Sequence, residues 1–537
     1  MSPAKESSLL PAADASEKRF GTFSGVFTPS ILTILGVVMY LRFGWVVGNA
    51  GLWGALAIVL ISHLITVSTG LSVSSIATNR SVGAGGVYYI ISRSLGAPVG
   101  AAVGIPLFLG QALSVSFYVV GFSESLGELV PSVSERWLGS GVCLLLTLLS
   151  LKSAVFAIKI QYGVMALIGV SLVSFFAGGR APAPEAQAVP TSVAPFSEVF
   201  AVFFPAVTGI MAGVGMSGDL KDPRRSLPRG TMLAIFAGFV VYASFPFMLN
   251  GHATRSELIH DSRIVWQIAR VPELIYLGVW GATLSSAVGS LLTAPRTLQA
   301  LAGDGLAPRV LSRGHGPFNE PRFGMLVTFA LAEAGILLGD LNSIANLLTM
   351  FFLATYGLTN LACGLEKWAA SPSFRPDFRV PAWVSLAGAF ACFYVMSVID
   401  LLSMAAALVL CGLIFAFVER RALGTTYGDA RHGIWSALVR TGLQRLHRTG
   451  FHPQNWRPNL VIMGGEVEKR AHLLELGSSI VQDRGIVTYF FLLRGSVEEN
   501  QARRAEFLKR MDDRIAAAFP HVFYRVEVAP TISTAAS

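Results

Sequence analysis

Two hydrophobic stretches of this sequence each contain a threonine and a glycine near the middle of an apolar run. They are residues 31–38 (ILTILGVV) and residues 205–213 (PAVTGIMAG). A membrane helix that unwinds at such a point frees main-chain carbonyls, which bind cations, and main-chain amides, which bind anions. A freed group left unsatisfied in hydrocarbon is costly, so a break persists only where it lines a cavity or binds an ion. The two stretches therefore predict an ion site at mid-membrane.

Glycine also serves the close packing of membrane helices, and for either stretch alone that interpretation is the more common one. The two stretches lie five predicted spans apart, however, and Pro205 stands one turn before the second break. Interrupted helices at matching positions of two halves are typical of inverted-repeat transporters with a site at the membrane midplane. We therefore favour two broken helices.

Acidic residues are missing from the middle of predicted spans one, three, six, eight and ten. A bare cation bound there would have no protein counter-charge, and burying an uncompensated charge is prohibitive. Anions bound beside the cations would offset that cost. The composition thus favours cations paired with chloride over carboxylate-coupled proton transport.

The helices that must position these groups dominate the composition. Of the 537 residues, 53% are hydrophobic and 14% are charged, and the mean hydropathy is +0.58. Soluble proteins are about one-quarter charged, so a soluble globule is excluded and an all-α polytopic membrane protein is predicted. Twelve predicted spans cover about 26–48, 52–77, 98–127, 138–151, 154–177, 198–217, 230–250, 272–300, 322–339, 343–368, 381–399 and 402–419.

The charges divide the chain into domains and set its orientation. Residues 421–537 hold 27 of the 73 charged residues, as a soluble domain would. The predicted inner loops contain fifteen lysines and arginines and the outer loops five, so both termini of a multi-pass cell-membrane protein are expected in the cytoplasm. The predicted domains are a cytoplasmic tail (1–25), a transmembrane domain (26–420), an amphipathic linker helix (421–455) and a cytoplasmic α/β domain (456–537).

The last domain is predicted to hold strands at 460–463, 485–493 and 522–528, with helices at 466–481 and 497–518. No G-x-G-x-x-G motif follows the first strand, so docking or homodimer formation is favoured over nucleotide binding. The net charge of +9 lies largely in membrane loops and predicts no nucleic-acid partner. The four cysteines lack metal spacing and no catalytic constellation is indicated, so neither a cofactor nor enzymatic activity is expected.

Motifs along most of the chain resemble the cation–chloride cotransporter family, a branch of the amino-acid/polyamine/organocation superfamily. They are 36–48 (GVVMYLRFGWVVG), 85–96 (GGVYYIISRSLG), 118–122 (YVVGF), 203–210 (FFPAVTGI), 217–220 (SGDL), 282–287 (ATLSSA) and 455–458 (NWRP). The resemblance implies a leucine-transporter-like fold with a five-plus-five inverted repeat. It identifies the chain as a short, bacterial-type homologue of the sodium–potassium–chloride cotransporters.

For the cations, the resemblance implies oxygen ligands from the two broken spans and their neighbours. Potassium is implied at main-chain carbonyls and one tyrosine hydroxyl, at Thr33, Ile34, Pro205, Thr208 and Tyr118. Sodium is implied at main-chain carbonyls and two serine hydroxyls, at Leu32, Leu35, Ala282, Ser285 and Ser286. In this family the adjacent hydroxyls are typical of sodium-coupled members, and the third-span tyrosine is typical of potassium carriers.

For the anions, the resemblance implies main-chain amides. One chloride is implied on the amides of Gly36, Val37 and Val38, and a second on those of Gly209, Ile210 and Met211 with the hydroxyl of Tyr356. The sequence departs from the family at Thr33, where asparagine is usual, and at Leu35, where a bulky aromatic residue is usual. Both positions coordinate mainly through the backbone, so altered affinity is expected rather than lost function.

Several of these side chains also have structural explanations. The hydroxyls of Ser285 and Ser286 are able to bond their own helix carbonyls. By hydropathy, Tyr118 lies near the outer end of its span, where interfacial tyrosine is common. The hydroxyl of Tyr356 needs a partner, and an anion or a backbone carbonyl serves equally well.

Charged residues inside or beside the spans are explained in two ways. Arg42 and Glu124, near outer span ends, form either an extracellular gate or two separate snorkelling charges. Glu333 in span nine is expected to serve a helix contact, and His63 in span two is expected to be packed.

The sequence thus predicts electroneutral secondary active cotransport of chloride with sodium and potassium by alternating access, with the three ions and the lipid bilayer as partners. The alternatives are an amino-acid or polyamine permease of the same fold, potassium–chloride or sodium–chloride cotransport, and a non-transporting regulator of a related carrier. Such permeases commonly carry a double glycine in the first break, which residues 33–36 (TILG) do not supply.

Overall fold

The computed structural model describes residues 20–79, 86–127, 129–152, 154–179, 193–316, 319–370, 374–420, 430–448, 457–465, 467–482 and 484–529. Parts of the predicted tail and linker (1–19, 421–429 and 449–455) lie outside the described residues, as do Gly85, Asn455 and Trp456 of the resemblance motifs. The chain forms two compact units, Met1–Val439 and Arg440–Ser537. The predicted domain boundaries at 25, 420 and 455 stay predictions.

The first unit is helical throughout its described part. In chain order its helices are α1 (Thr28–Ile34), α2 (Val37–Leu41), α3 (Phe43–Asn79), α4 (Gly86–Leu95), α5 (Ala97–Gly127), α6 (Glu135–Lys152), α7 (Ala154–Phe176), α8 (Phe196–Phe203), α9 (Ile210–Gly215), α10 (Pro223–His252), α11 (Arg255–His260), α12 (Ile264–Ile268), α13 (Pro272–Gly303), α14 (Arg322–Leu338), α15 (Leu341–Ala369), α16 (Ala382–Ile399) and α17 (Leu401–Arg420). Helix α18 (Ala430–Arg448) follows and lies within the range 421–455 of the predicted linker helix.

The prediction of a helical protein with many membrane spans is confirmed. Within the described ranges, nine helices or helix pairs are long and apolar enough to cross a membrane. Helices α6, α7 and α14 occupy the predicted positions of spans four, five and nine. Helix α14, with 17 residues, is only about 25 Å long at 1.5 Å per residue. The count of twelve spans and the inverted repeat stay predictions.

Helix ends deviate from the predicted spans where charge or glycine sets the local structure. The seventh span was expected from 230, but α10 begins at Pro223, because the Asp222 side chain caps its first turn by accepting from the Arg225 amide at 3.3 Å. Helix α3 is kinked at Gly51, between predicted spans one and two. The backbone there is not helical, and its φ of 70° is a conformation that glycine readily adopts.

The second unit contains the predicted small α/β arrangement. Strands β1 (Asn459–Gly464), β2 (Ile486–Arg494) and β3 (Val522–Ala529) form one parallel sheet in that order. Helices α19 (Val467–Val481) and α20 (Val497–Ala518) connect the strands and pack with their inner residues into one apolar core. The three predicted strands and two predicted helices of this domain are therefore confirmed.

Candidate functional site

The predicted break in the first span is present. Helix α1 ends at Ile34, Leu35 has φ −83° and ψ 49°, and Gly36 has φ −102° and ψ −149° before α2 begins at Val37. As a result, the amides of Gly36, Val37 and Val38 find no hydrogen-bond acceptor among the described residues. All three residues are buried, so three orphan donors lie inside the protein.

The sixth span is also interrupted, but by a tighter turn. Helix α8 ends at Phe203, and Phe204–Val207 continue as a 3₁₀-helix before α9 begins at Ile210. The amides of Gly209 and Ile210 have no acceptor among the described residues. The amide of Met211, by contrast, donates to the carbonyl of Thr208 at 3.3 Å.

The two breaks touch each other at Gly209. A Cβ atom at this position would lie 2.8 Å from the amide nitrogen of Ile34 and 2.9 Å from the Cβ atom of Thr33. Only glycine therefore allows this approach. Gly36 faces the third span, since a Cβ atom there would lie 3.9 Å from Cε1 of Tyr118. The structure thus brings together residues from spans one, three and six that the sequence predicted as one site.

Tyr118 lies deep in the protein. Its side chain is 3% exposed, and its hydroxyl makes no hydrogen bond to another described residue. Hydropathy placed Tyr118 near the outer interface, but in the structure Tyr118 lies beside the first break. A buried hydroxyl without a partner is able to ligate an ion.

The predicted cation-binding carbonyls receive hydroxyl groups from neighbouring spans. Tyr242 of α10 donates to the Ile34 carbonyl at 2.7 Å, and Tyr356 of α15 donates to the Thr208 carbonyl at 3.0 Å. The hydroxyl of Thr208 itself donates to the carbonyl of Pro205 at 2.8 Å. Tyr356 thus has a backbone partner, one of the two kinds the sequence allowed.

Two of the predicted sodium ligands, Ser285 and Ser286, lie on α13 where it faces Leu32 of α1. The hydroxyl of Ser286 lies 3.5 Å from the carbonyl of Leu32, a long contact for a hydrogen bond. Ser285 lines a cavity of about 410 Å³ together with Leu32 and Thr33. Ala282 is fully buried in the same helix. The Thr33 hydroxyl donates to the Pro29 carbonyl of its own helix at 2.9 Å.

On one side of this site, the 410 Å³ cavity extends between α1, α7, α9 and α13 as far as Arg296. By the charge of the loops, this is the side predicted to be cytoplasmic. On the other side, Arg42 and Glu124 form a bidentate ion pair with N–O distances of 2.7 and 2.9 Å. The side chains are 14% and 22% exposed, so the two charges are paired and not separately snorkelling.

A family model described as amino acid permease matches residues 25–459. The chain belongs to the amino acid permease family. Similar proteins with more specific names confirm the predicted resemblance to the cation–chloride cotransporters.

Among these relatives, solute carrier family 12 member 1 of Homo sapiens is 32% identical over 87% of this chain and 49% of its own length. Solute carrier family 12 member 2 of Squalus acanthias is 32% identical over 90% of this chain and 46% of its own. The bumetanide-sensitive sodium-(potassium)-chloride cotransporter of Manduca sexta is 32% identical over 86% and 50%. The chain spans about half the length of the curated relatives it matches.

Two residues beside this site were not predicted from the sequence. Asn342 accepts a hydrogen bond from Nε of Arg42 at 2.6 Å, and Tyr242 contacts the Ile34 carbonyl. Tyr242 gave a readable signal, because a tyrosine in the middle of a hydrophobic span needs a partner for its hydroxyl. Asn342 gave none, since asparagine at a span end is common in loops and helix caps.

Proposed function

We propose that this protein is an electroneutral secondary transporter that carries chloride with sodium and potassium across the membrane by alternating access. The observation that carries the proposal is the buried row of amides at Gly36, Val37 and Val38, which find no acceptor in the part of the chain that the structure describes. Amides at the start of a helix favour an anion through their dipoles, and in hydrocarbon they need a partner. A dehydrated chloride supplies that partner without covalent chemistry.

The proposed ion set balances its own charge. Potassium is assigned to the carbonyls around Thr33, Ile34, Pro205 and Thr208 with the Tyr118 hydroxyl, and sodium to the set that includes Ser285 and Ser286. One chloride is assigned to the first break and a second to Gly209, Ile210, Met211 and Tyr356. Two cations and two chlorides sum to zero, which suits a site without acidic residues at mid-membrane.

In the proposed transport cycle, the described conformation faces the cytoplasm, with both termini on that side of the cell membrane. The Arg42–Glu124 pair supports a closed outer side. The cavity that runs from Ser285 to Arg296 supports a water path on the inner side. Movement between this state and its outward-facing counterpart would expose the same site alternately.

The test is ion-replacement flux with the purified protein in liposomes. Chloride uptake is expected to fall when sodium alone is replaced and, separately, when potassium alone is replaced. Ser285→Ala is expected to weaken the dependence on sodium while leaving that on potassium unchanged. Full flux without sodium would contradict sodium coupling and would favour potassium–chloride cotransport.

An amino-acid permease is the second candidate, because the matching family model carries that description. A ligand that binds the folded state raises the temperature of unfolding by mass action. Stabilisation by chloride salts but not by amino acids is expected, and the opposite pattern would favour this candidate.

The second unit adds a proposed contact between two copies of the chain. The strand register places Val461, Met463 and Phe523 on one face of the sheet, and their side chains are 60%, 56% and 63% exposed. Parallel sheets are normally covered on both faces. We assign this apolar face to a homodimer formed through the C-terminal domain.

A further inference from the structure

Tyr242 connects the seventh span to the first break through one hydrogen bond. Its hydroxyl donates to the carbonyl oxygen of Ile34 at 2.7 Å, and its side chain is 0% exposed. Ile34 is the last residue of α1, so its carbonyl has lost the helical donor that would follow in an unbroken helix. The contact therefore occupies part of a carbonyl that the break has freed.

The ring of Tyr242 is fixed by aromatic residues on both sides. Phe43, which follows α2, and Phe203, which ends α8, each pack edge-on against it with ring centroids 5.3 Å apart. These partners come from the two interrupted spans. The direction of the hydroxyl is thus set by packing against both breaks, and the hydroxyl in turn restrains the Ile34 carbonyl.

A carbonyl oxygen has two lone pairs. With one accepting from Tyr242, the other is left for a cation, and the carbonyl is aimed before the ion arrives. A ligand that is oriented in advance loses less conformational freedom on binding. We propose that Tyr242 is a positioning residue of the potassium site, which acts by holding the Ile34 carbonyl and does not touch the ion. This inference rests on the proposed function, because it takes Ile34 as a potassium ligand.

The test compares Tyr242→Phe with the unmodified protein in liposomes. The substitution removes the hydroxyl and keeps the ring between Phe43 and Phe203, so the fold is expected to survive. The half-saturating potassium concentration for chloride uptake is expected to rise about 2- to 10-fold, the range of one neutral hydrogen bond. The half-saturating sodium concentration and the maximal flux are expected to change less than about twofold, within the scatter of a site that is not perturbed.

Tyr40→Phe is the matched control. Tyr40 is also buried, and its hydroxyl bonds the Ser171 hydroxyl at 2.6 Å instead of a carbonyl of the breaks. This variant is expected to keep the potassium dependence of the unmodified protein. Incorporation of 4-aminophenylalanine at position 242 retains a donor on the same ring carbon. It is expected to restore the half-saturating potassium concentration of the unmodified protein.

The outcomes separate this inference from the function on which it rests. Potassium-dependent uptake in the unmodified protein, with an unchanged half-saturating potassium concentration in Tyr242→Phe, would overturn the positioning role alone. Equal losses in Tyr242→Phe and Tyr40→Phe would do the same, since they would report a structural effect. Uptake that never depends on potassium would overturn both the assignment of Ile34 and this inference.

Discussion

The hydroxyl of Tyr356 donates a hydrogen bond of 3.0 Å to the carbonyl oxygen of Thr208. A proposed chloride ligand therefore contacts a proposed potassium ligand directly. The amide of Met211, a second proposed chloride ligand, donates to the same oxygen at 3.3 Å. A chloride bound beside Gly209 and Ile210 would draw both donors toward itself and leave the Thr208 oxygen more open to a cation.

This exchange of partners predicts coupling between chloride and potassium. Raising chloride is expected to lower the half-saturating potassium concentration by about 5-fold or more, the lower end of usual coupling between sites. In Tyr356→Phe the same increase in chloride is expected to change the half-saturating potassium concentration by less than about twofold. The reason is that the Tyr356 hydroxyl, one of the two donors to the Thr208 carbonyl, is gone. The measurement is potassium-dependent uptake at several chloride concentrations. A Tyr356→Phe variant with the full chloride effect would contradict this route of coupling.

The contact between the two breaks predicts that Gly209→Ala abolishes transport. The added methyl group would lie 2.8 Å from the Ile34 nitrogen and 2.9 Å from Thr33 Cβ, both too close for carbon. The spans must separate, and uptake is expected to fall at least about 10-fold, as for misplaced binding groups in general.

Gly169→Ala is the control for this change, since no atom lies within 4 Å of a Cβ atom at that position. It is expected to keep normal uptake. Both variants are to be compared at equal amounts of monodisperse protein. Normal uptake by Gly209→Ala would show that the two breaks need not touch.

The sequence predicted the breaks well because glycine and threonine within an apolar run are a local signal. It placed the elements around Gly36 and Gly209 to within a few residues, together with all three strands of the second unit. For Arg42 and Glu124 it left two alternatives open, a paired gate and two separate snorkelling charges. The structure decided for the pair.

The remaining features depend on three-dimensional contacts that no local pattern contains. Hydropathy put Tyr118 at an interface, because it counts only neighbours in the chain, whereas the approach of α5 to Gly36 buries the ring. The sequence did not predict that the Met211 amide donates to the Thr208 carbonyl, one turn after the 3₁₀ segment Phe204–Val207. Tyr242 meets Ile34 across a separation of 208 residues.

The exposed sheet face predicts dependence of the oligomeric state on Phe523. Its side chain is 63% exposed on the face that also carries Val461 and Met463. Phe523→Asp places a charge there, and the full-length protein in detergent is expected to shift from dimer to monomer by light scattering. Leu476→Asp on α19, where the leucine is 57% exposed, is the control and is expected to leave the dimer intact. A monomeric unmodified protein would contradict the homodimer.

The Arg42–Glu124 pair predicts that its removal opens the outer side. In Glu124→Gln the bidentate charged contact is replaced by a neutral one, which costs about 1–2 kcal/mol of the closed state. The outward-open population is then expected to rise about 5- to 30-fold. The probe is Ser123→Cys, whose side chain lines a cavity of about 230 Å³ with both charges, labelled by a membrane-impermeant maleimide.

The four native cysteines are buried and give little background. Labelling of Ser123→Cys is expected to be faster in the Glu124→Gln protein by the same factor as the population shift. Arg224→Gln is the control, because it breaks the ion pair between Arg224 and Asp377, whose two side chains are 51% and 65% exposed. Such surface pairs contribute little to stability, so the labelling rate is expected to stay unchanged. Equal labelling rates with and without Glu124→Gln would mean that the pair anchors the helices without closing the path.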